Sequence, residues 1–133
     1  MAARPLTGWL GRRWASPRPG EEGETAACRY LEGQGFAVLA RNFRCRSGEV
    51  DVVARQGDTT VFVEVKERRS ESHGQGHEAV TFGKRRRIVR AARLYAAARG
   101  LSETPLRFDV VSIDWVDGQP CIRHDPGAFD AGG

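Results

Sequence analysis

The sequence predicts a single α/β or α+β domain in which one sheet is covered by helices. Its 133 residues suit one hydrophobic core. The periodic segments run helix, three strands, helix, then one or two strands, the order of a sheet with helices packed on it. One run, Thr60 to Lys66, is β-branched and apolar enough to be a strand buried on both faces. A composition of 40% hydrophobic and 29% charged residues is that of an ordinary globular protein, not a disordered or membrane chain.

Residues 1–19 combine arginines, Trp/Leu anchors and Pro5, Pro17 and Pro19 with no sustained period, which reads as a flexible basic arm. Order begins near Gly20, and residues 20–124 form the folded domain. From Glu21 to Gln34, Ala27, Tyr30 and Leu31 recur at helical spacing, acids fill the first turn where the dipole favours them, and Gly35 stops the helix. Phe36 to Ala40 starts a strand that runs through Asn42-Phe43-Arg44 to a turn near Arg46-Ser47-Gly48. Glu49 to Ala54 alternates acidic and apolar residues until Gln56-Gly57-Asp58 turns the chain into the Thr60–Lys66 strand. Three strands with short turns form an antiparallel meander. A Ser/Gly/His loop, about Arg69 to His77, leads to a second helix that begins between Thr81 and Lys84 and runs to Arg99, where Gly100 ends it. Ile88, Ala91, Ala92, Tyr95 and Ala98 form its apolar stripe. Leu106 to Trp115 is a further alternating strand, and Asp117-Gly118 turns it into Pro120–Arg123. The small polar residues 125–133 are expected to fray.

No apolar run approaches the ~18 residues of a membrane span. The N-terminus, with Trp9-Leu10-Gly11-Arg12-Arg13, lacks the apolar stretch and cleavage site of a secretory signal, so a cytoplasmic location is expected. Cys28, Cys45 and Cys121 are scattered, with neither disulfide-framework nor zinc-knuckle spacing. Gly74 and Gly76 between His73 and His77 argue for a loop there, so zinc is not expected. Net charge is +4 and the pI is near 9.4. The excess crowds into Lys84, Arg85, Arg86, Arg87, Arg90 and Arg93, which points to a polyanionic partner.

The chemistry lies in the strands. A carboxylate inside a buried strand costs several kcal/mol unless its charge is compensated. Glu64 stands in VFVEVK, and Lys66 shares its strand face by period two. Asp51, thirteen residues earlier (64 − 51), falls opposite Glu64 in a meander closed at Gln56-Gly57-Asp58. Two carboxylates with a neighbouring lysine make a hard oxygen site for Mg²⁺ or Mn²⁺, to which the Val65 carbonyl adds another donor. The reaction class expected there is metal-assisted phosphodiester hydrolysis, with Lys66 orienting water or stabilising developing charge. The structural alternative is a buried Glu64–Lys66 ion pair. Glu49 shares a face with Asp51 and is an alternative supporting group.

The pattern D-x(12)-E-x-K, here Asp51, Glu64 and Lys66, resembles the PD-(D/E)xK nuclease superfamily, with Val50 in place of the proline. A longer string is more specific: Gly23-Glu24, Ala27, Tyr30-Leu31, Gly35-Phe36, Asn42-Phe43-Arg44, Gly48 to Asp51, Phe62 to Lys66, Glu78-Ala79-Val80, Lys84 and Arg107 to Val111. It resembles the bacterial YraN-like family of uncharacterised proteins, related to archaeal Holliday junction resolvases, over roughly residues 20 to 116. The resemblance implies a restriction-endonuclease-like αβββαβ core, a mixed central sheet flanked by helices. It carries over Glu24, Asp51, Glu64 and Lys66 as the catalytic set, with Glu24 helping to position the metal water or the lysine. By its residues alone, Glu24 is an ordinary dipole partner in a first helical turn. The function implied is a metal-dependent endonuclease on DNA, branched or damaged DNA included, with the basic helix and the arm holding phosphates. Resolvase-like relatives act as dimers, so a homodimer is the implied assembly. The alternative is a non-catalytic nucleic-acid-binding module with a vestigial acidic site. A structural protein whose basic helix meets an acidic partner would leave the strand carboxylates unexplained.

Overall fold

The computed structural model describes residues 21–69 and 80–131 of the chain. The basic arm expected over 1–19, the loop expected up to His77 beyond Arg69, and Glu78-Ala79 lie outside the described residues. Helix α1 spans Glu21–Gly33. Strands β1, β2 and β3 span Ala37–Cys45, Gly48–Gln56 and Thr59–Arg69. Helix α2 spans Phe82–Ala98, and β4 and β5 span Leu106–Val116 and Gln119–Phe129. The strands form one sheet in the order β1-β2-β3-β4-β5. β3 and β4 are parallel, bridged by the α2 crossover, and all other neighbours are antiparallel. The expected αβββαβ order and mixed sheet are present, with β5 added at an edge.

Each helix covers one face of the sheet. On one side Ala27, Cys28 and Leu31 of α1 meet Val52, Val61, Val63, Val111 and Ile113. On the other, Ile88, Ala91, Ala92 and Tyr95 of α2 meet Val50, Val53, Phe62 and Phe108. β3 supplies both layers: Val61 and Val63 join the first, Phe62 joins the second, and all three are fully buried, as period two requires. Each such side chain contributes about 1.5–3 kcal/mol by leaving water, so this central strand anchors the core. In α2, Val89 and Ala96 are also buried. Ala98, expected in the stripe, is exposed together with Ala97 and Arg99, because the last turn runs beyond what the sheet covers.

The Thr81 hydroxyl caps α2 by accepting the Lys84 backbone N–H at 3.1 Å, which removes one orphan donor of the first turn. Asp117 and Gly118 both have positive φ, 52° and 78°, the backbone of a type I′ hairpin matched to strand twist. The segment from Asp125 corrects the expectation of a frayed tail, since β5 continues to Phe129. A bulge absorbs Asp125-Pro126-Gly127, with the register shifting between Phe108 and Val110. The buried Asp109 takes the Gly127 N–H at 2.9 Å, and Phe129 stacks on Phe108 with ring centroids 5.2 Å apart. No helix among the described residues is long and apolar enough to cross a membrane.

Candidate functional site

The β2–β3 ladder runs in register from Gln56↔Thr59 to Val52↔Val63 and stops there. The next pair in that register is Asp51 and Glu64. At this point the Asp51 carboxylate accepts the Val65 backbone N–H at 2.8 Å, so a side chain satisfies a donor where the strands part. Beyond it β2 continues against β1, and β3 continues against β4. The Asp51 and Glu64 side chains are in hydrogen-bonding contact, as cross-strand pairing requires. Glu64 alternates with Val63 and so faces α2, the side of Phe62.

Glu64 is buried at 5% exposure, and its Oε2 lies 2.7 Å from Lys84 Nζ on α2. Burial, with the adjacent Glu64 charge, pushes the Asp51 carboxyl up to about 7; the Val65 N–H and Lys84 oppose the rise. Two touching carboxylates do not both ionise cheaply, so the pair calls for a proton or a cation. Lys84 is the cation beside them. Its hydrogen bond to Glu64, despite partial burial, holds the ammonium above the usual lysine range, and the charge of Asp51 adds to this.

Glu24, in the first turn of α1, stands behind the pair. Asn42 Nδ2 donates to its Oε1 at 2.8 Å, and Arg41 Nη2 lies 3.6 Å from the same atom. Burial raises the Glu24 carboxyl above its ordinary value and the Asp51 charge adds to that, while Asn42 and Arg41 pull it back. Asn42 takes a left-handed φ of 53°, which asparagine tolerates better than most residues. That conformation delivers its amide to Glu24.

Lys66 is half-buried on β3 and registers with Ser112 of β4, while Val65 packs its side chain into the α1-side core. Glu49 is exposed and turns away to Arg44, 3.3 Å from its Nε. Among the described residues, no three Asp, Glu, His or Cys side chains gather as a ready metal cage. What converges is a carboxylate pair with one ammonium, and Glu24 sits behind them. Sequence reasoning placed Lys84 only among the phosphate-binding residues; the signal for its inward role was its position four residues before Ile88, on the packing face of α2. The roles of Arg41 and Asn42 had no such signal. Arg85 turns inward too, donating from Nε to the Val80 carbonyl at 3.1 Å and lying over the Phe129 ring. Arg86, Arg87, Arg90 and Arg93 stay exposed, and none has a carboxylate ion-pair partner among the described residues.

Residues 23–113, which contain the whole carboxylate and lysine set, match the model of the uncharacterised protein family UPF0102. A UPF0102 protein of Anaeromyxobacter dehalogenans is 46% identical over 114 residues, covering 86% of this chain and 85% of its own. One from Symbiobacterium thermophilum is 47% identical over 117 residues, 87% of this chain and 99% of its own. A third, from Nocardia farcinica, is 47% identical over 130 residues, 97% of this chain and 100% of its own.

Proposed function

The chain belongs to the uncharacterised protein family UPF0102, the YraN-like family that its sequence resembles, and we propose that it is a metal-dependent endonuclease acting on DNA in the cytoplasm. The observation that carries this reading is the contact between Asp51 and Glu64 at the point where β2 and β3 separate. A buried carboxylate, Glu64, and a half-buried one, Asp51, held together and open to an ammonium are a donor set suited to Mg²⁺ or Mn²⁺, with the Val65 carbonyl as a further oxygen. A divalent cation bound there supplies Lewis-acid polarisation of a phosphodiester and a more acidic water. The protein's own groups do the rest: Val65 N–H fixes the Asp51 carboxylate, Glu24, held by Asn42 and Arg41, adds negative charge that favours a cation over a bare carboxylate pair, and Lys66 and Lys84 put positive charge beside an incoming phosphate.

A second reading, a non-catalytic nucleic-acid-binding module, is favoured by the Lys84–Glu64 ion pair, which already satisfies one carboxylate. Incubation with duplex, single-stranded and four-way-junction DNA in Mg²⁺, Mn²⁺ or EDTA separates the two. Cleavage should occur with a divalent cation, stop in EDTA and be lost in Glu64→Gln, with binding retained or tightened because a charge repelling phosphate is gone. Binding with no cleavage anywhere on the panel would leave the module reading.

A further inference from the structure

Of the 21 basic Lys and Arg residues in the chain, only two are lysines, Lys66 and Lys84. Lys84 is ion-paired to Glu64, and Lys66 stands two residues past Glu64 on β3. The difference in chemistry matters here. A guanidinium is a wide planar fork that holds carboxylates bidentately, whereas an ammonium is a compact charge on a flexible stem that can leave a partner without rebuilding the site. Asp109, by contrast, takes the fork: fully buried, it binds Arg107 through Nε and Nη2, both at 2.8 Å.

The placement of Lys84 is fixed by the backbone around it. Thr81 caps the turn that carries it. Gly48 allows the backbone of α2 to lie directly on β2, since a Cβ at position 48 would collide with the Arg87 carbonyl. The helix face of Ile88 and Tyr95 then aims Lys84 at Glu64. Yet its side chain is 55% exposed while that of Glu64 is 5% exposed, so the ammonium can swing into solvent without unpacking any core atom.

We propose that Lys84 is a displaceable counter-ion of the Asp51–Glu64 pair, so that its ion pair and a bound divalent cation exclude each other, and the released ammonium stays at the rim to meet the anion that the cation recruits. This rests on the reading of the pair as a cation site. In the cation-free protein Lys84 neutralises the pair. Cation binding must break the 2.7 Å contact, and the cost of doing so weakens the apparent affinity. Lys84 is then a positioning residue with two stations, and it acts on the cation through Glu64.

Mn²⁺ titration by calorimetry on wild type, Lys84→Gln, Lys84→Arg and Glu64→Gln, each checked for folding by thermal melting, tests the proposal. Lys84→Gln should bind Mn²⁺ more tightly, on the order of tenfold, because a competing positive charge is gone. Lys84→Arg should bind more weakly than Lys84→Gln, and Glu64→Gln should not bind. A second readout addresses displacement itself: trace acetylation of the wild type, read by mass spectrometry, should label Lys84 faster in saturating Mn²⁺ than in EDTA, because a protonated, paired amine is a poor nucleophile. If wild type binds Mn²⁺ but Lys84→Gln binds no tighter, or Lys84 labelling does not rise, the counter-ion role is wrong and the cation site stands. If neither wild type nor Lys84→Gln binds, the cation site itself is wrong and the counter-ion role falls with it.

Discussion

Asp51 and Asp109 are both acids in strands, and their surroundings give their charges opposite consequences. Burial disfavours the charged form of Asp109, but Arg107, the Gly127 N–H and His124 together outweigh it and hold the carboxyl below its ordinary value. Its ionised form therefore stabilises the fold above the unfolded-chain value, and that stability is lost as pH falls through the folded value. Asp51 has no such set of donors, and its folded value of about 7 lies above the 3.8 of an ordinary aspartate. The unfolded chain releases this proton first, so stability declines as pH rises from about 4 to about 7, and the full penalty persists above that window. Asp51→Asn keeps an oxygen for the Val65 N–H and removes the charge. At pH 8 it should be more stable than wild type by at least ~1 kcal/mol, a melting rise of several degrees, and at pH 4 the two should nearly coincide. Thermal melts at the two pH values check this, and an equal or lower melting temperature for Asp51→Asn at pH 8 would remove the case for a strained carboxylate pair.

At the scale of elements, β5 separates what local pattern reveals from what tertiary contact decides. Phe129 is 9% exposed, pairs in register with Phe108 and lies under Arg85. Phe129→Ala should therefore cost about 2–3 kcal/mol in chemical denaturation, somewhat less than a central core phenylalanine because the strand is at an edge; a change within ~0.5 kcal/mol would mean that the segment frays after all. Strand β3, the meander, the Thr81 cap and the Asp117-Gly118 hairpin were legible because each rests on spacing or turn chemistry within a few residues. The Asp51–Glu64 contact was legible for the same reason, since one short turn fixes the register between their strands. The second half of β5 was not, because Asp125-Pro126-Gly127 reads locally as a breaker and becomes strand only through the Asp109 carboxylate, far back in the chain. The hold of Arg41 and Asn42 on Glu24 was hidden likewise: it depends on a left-handed residue inside β1, which no period announces.

At the scale of the whole molecule, six of the 21 Lys and Arg residues crowd onto one helix and divide between two of its sides. Helix α2 carries five arginines and no acid, and Lys84 and Arg85 are committed to contacts within the fold. Arg86, Arg90 and Arg93 line a shallow groove with Phe82, Val89 and Asp130. At about 100° per residue, Arg93 lies on the side of the helix away from Lys84, while Arg87 stands roughly 60° from Lys84, beside the carboxylates. A nucleic-acid backbone held at Glu64 thus meets Arg87 first, and reaches the groove by passing around the exposed side of the helix, near whose start Arg86 packs over the exposed Phe82 ring. Every phosphate that a substitution leaves without its arginine should lower the slope of log K against log salt by roughly 0.9 for duplex DNA, equally for all sequences, since backbone contacts carry no base code. Salt titrations of binding should therefore show a drop of about 0.9 for Arg87→Ala and up to about 2.7 for the Arg86→Ala, Arg90→Ala, Arg93→Ala triple variant if the strand crosses to the groove. A drop for Arg87→Ala with an unchanged triple would confine the bound backbone to the carboxylate side. An unchanged slope in both would show that the arginines of α2 only face water, because a charged helix that binds no polyanion releases no counter-ions when its charge is removed.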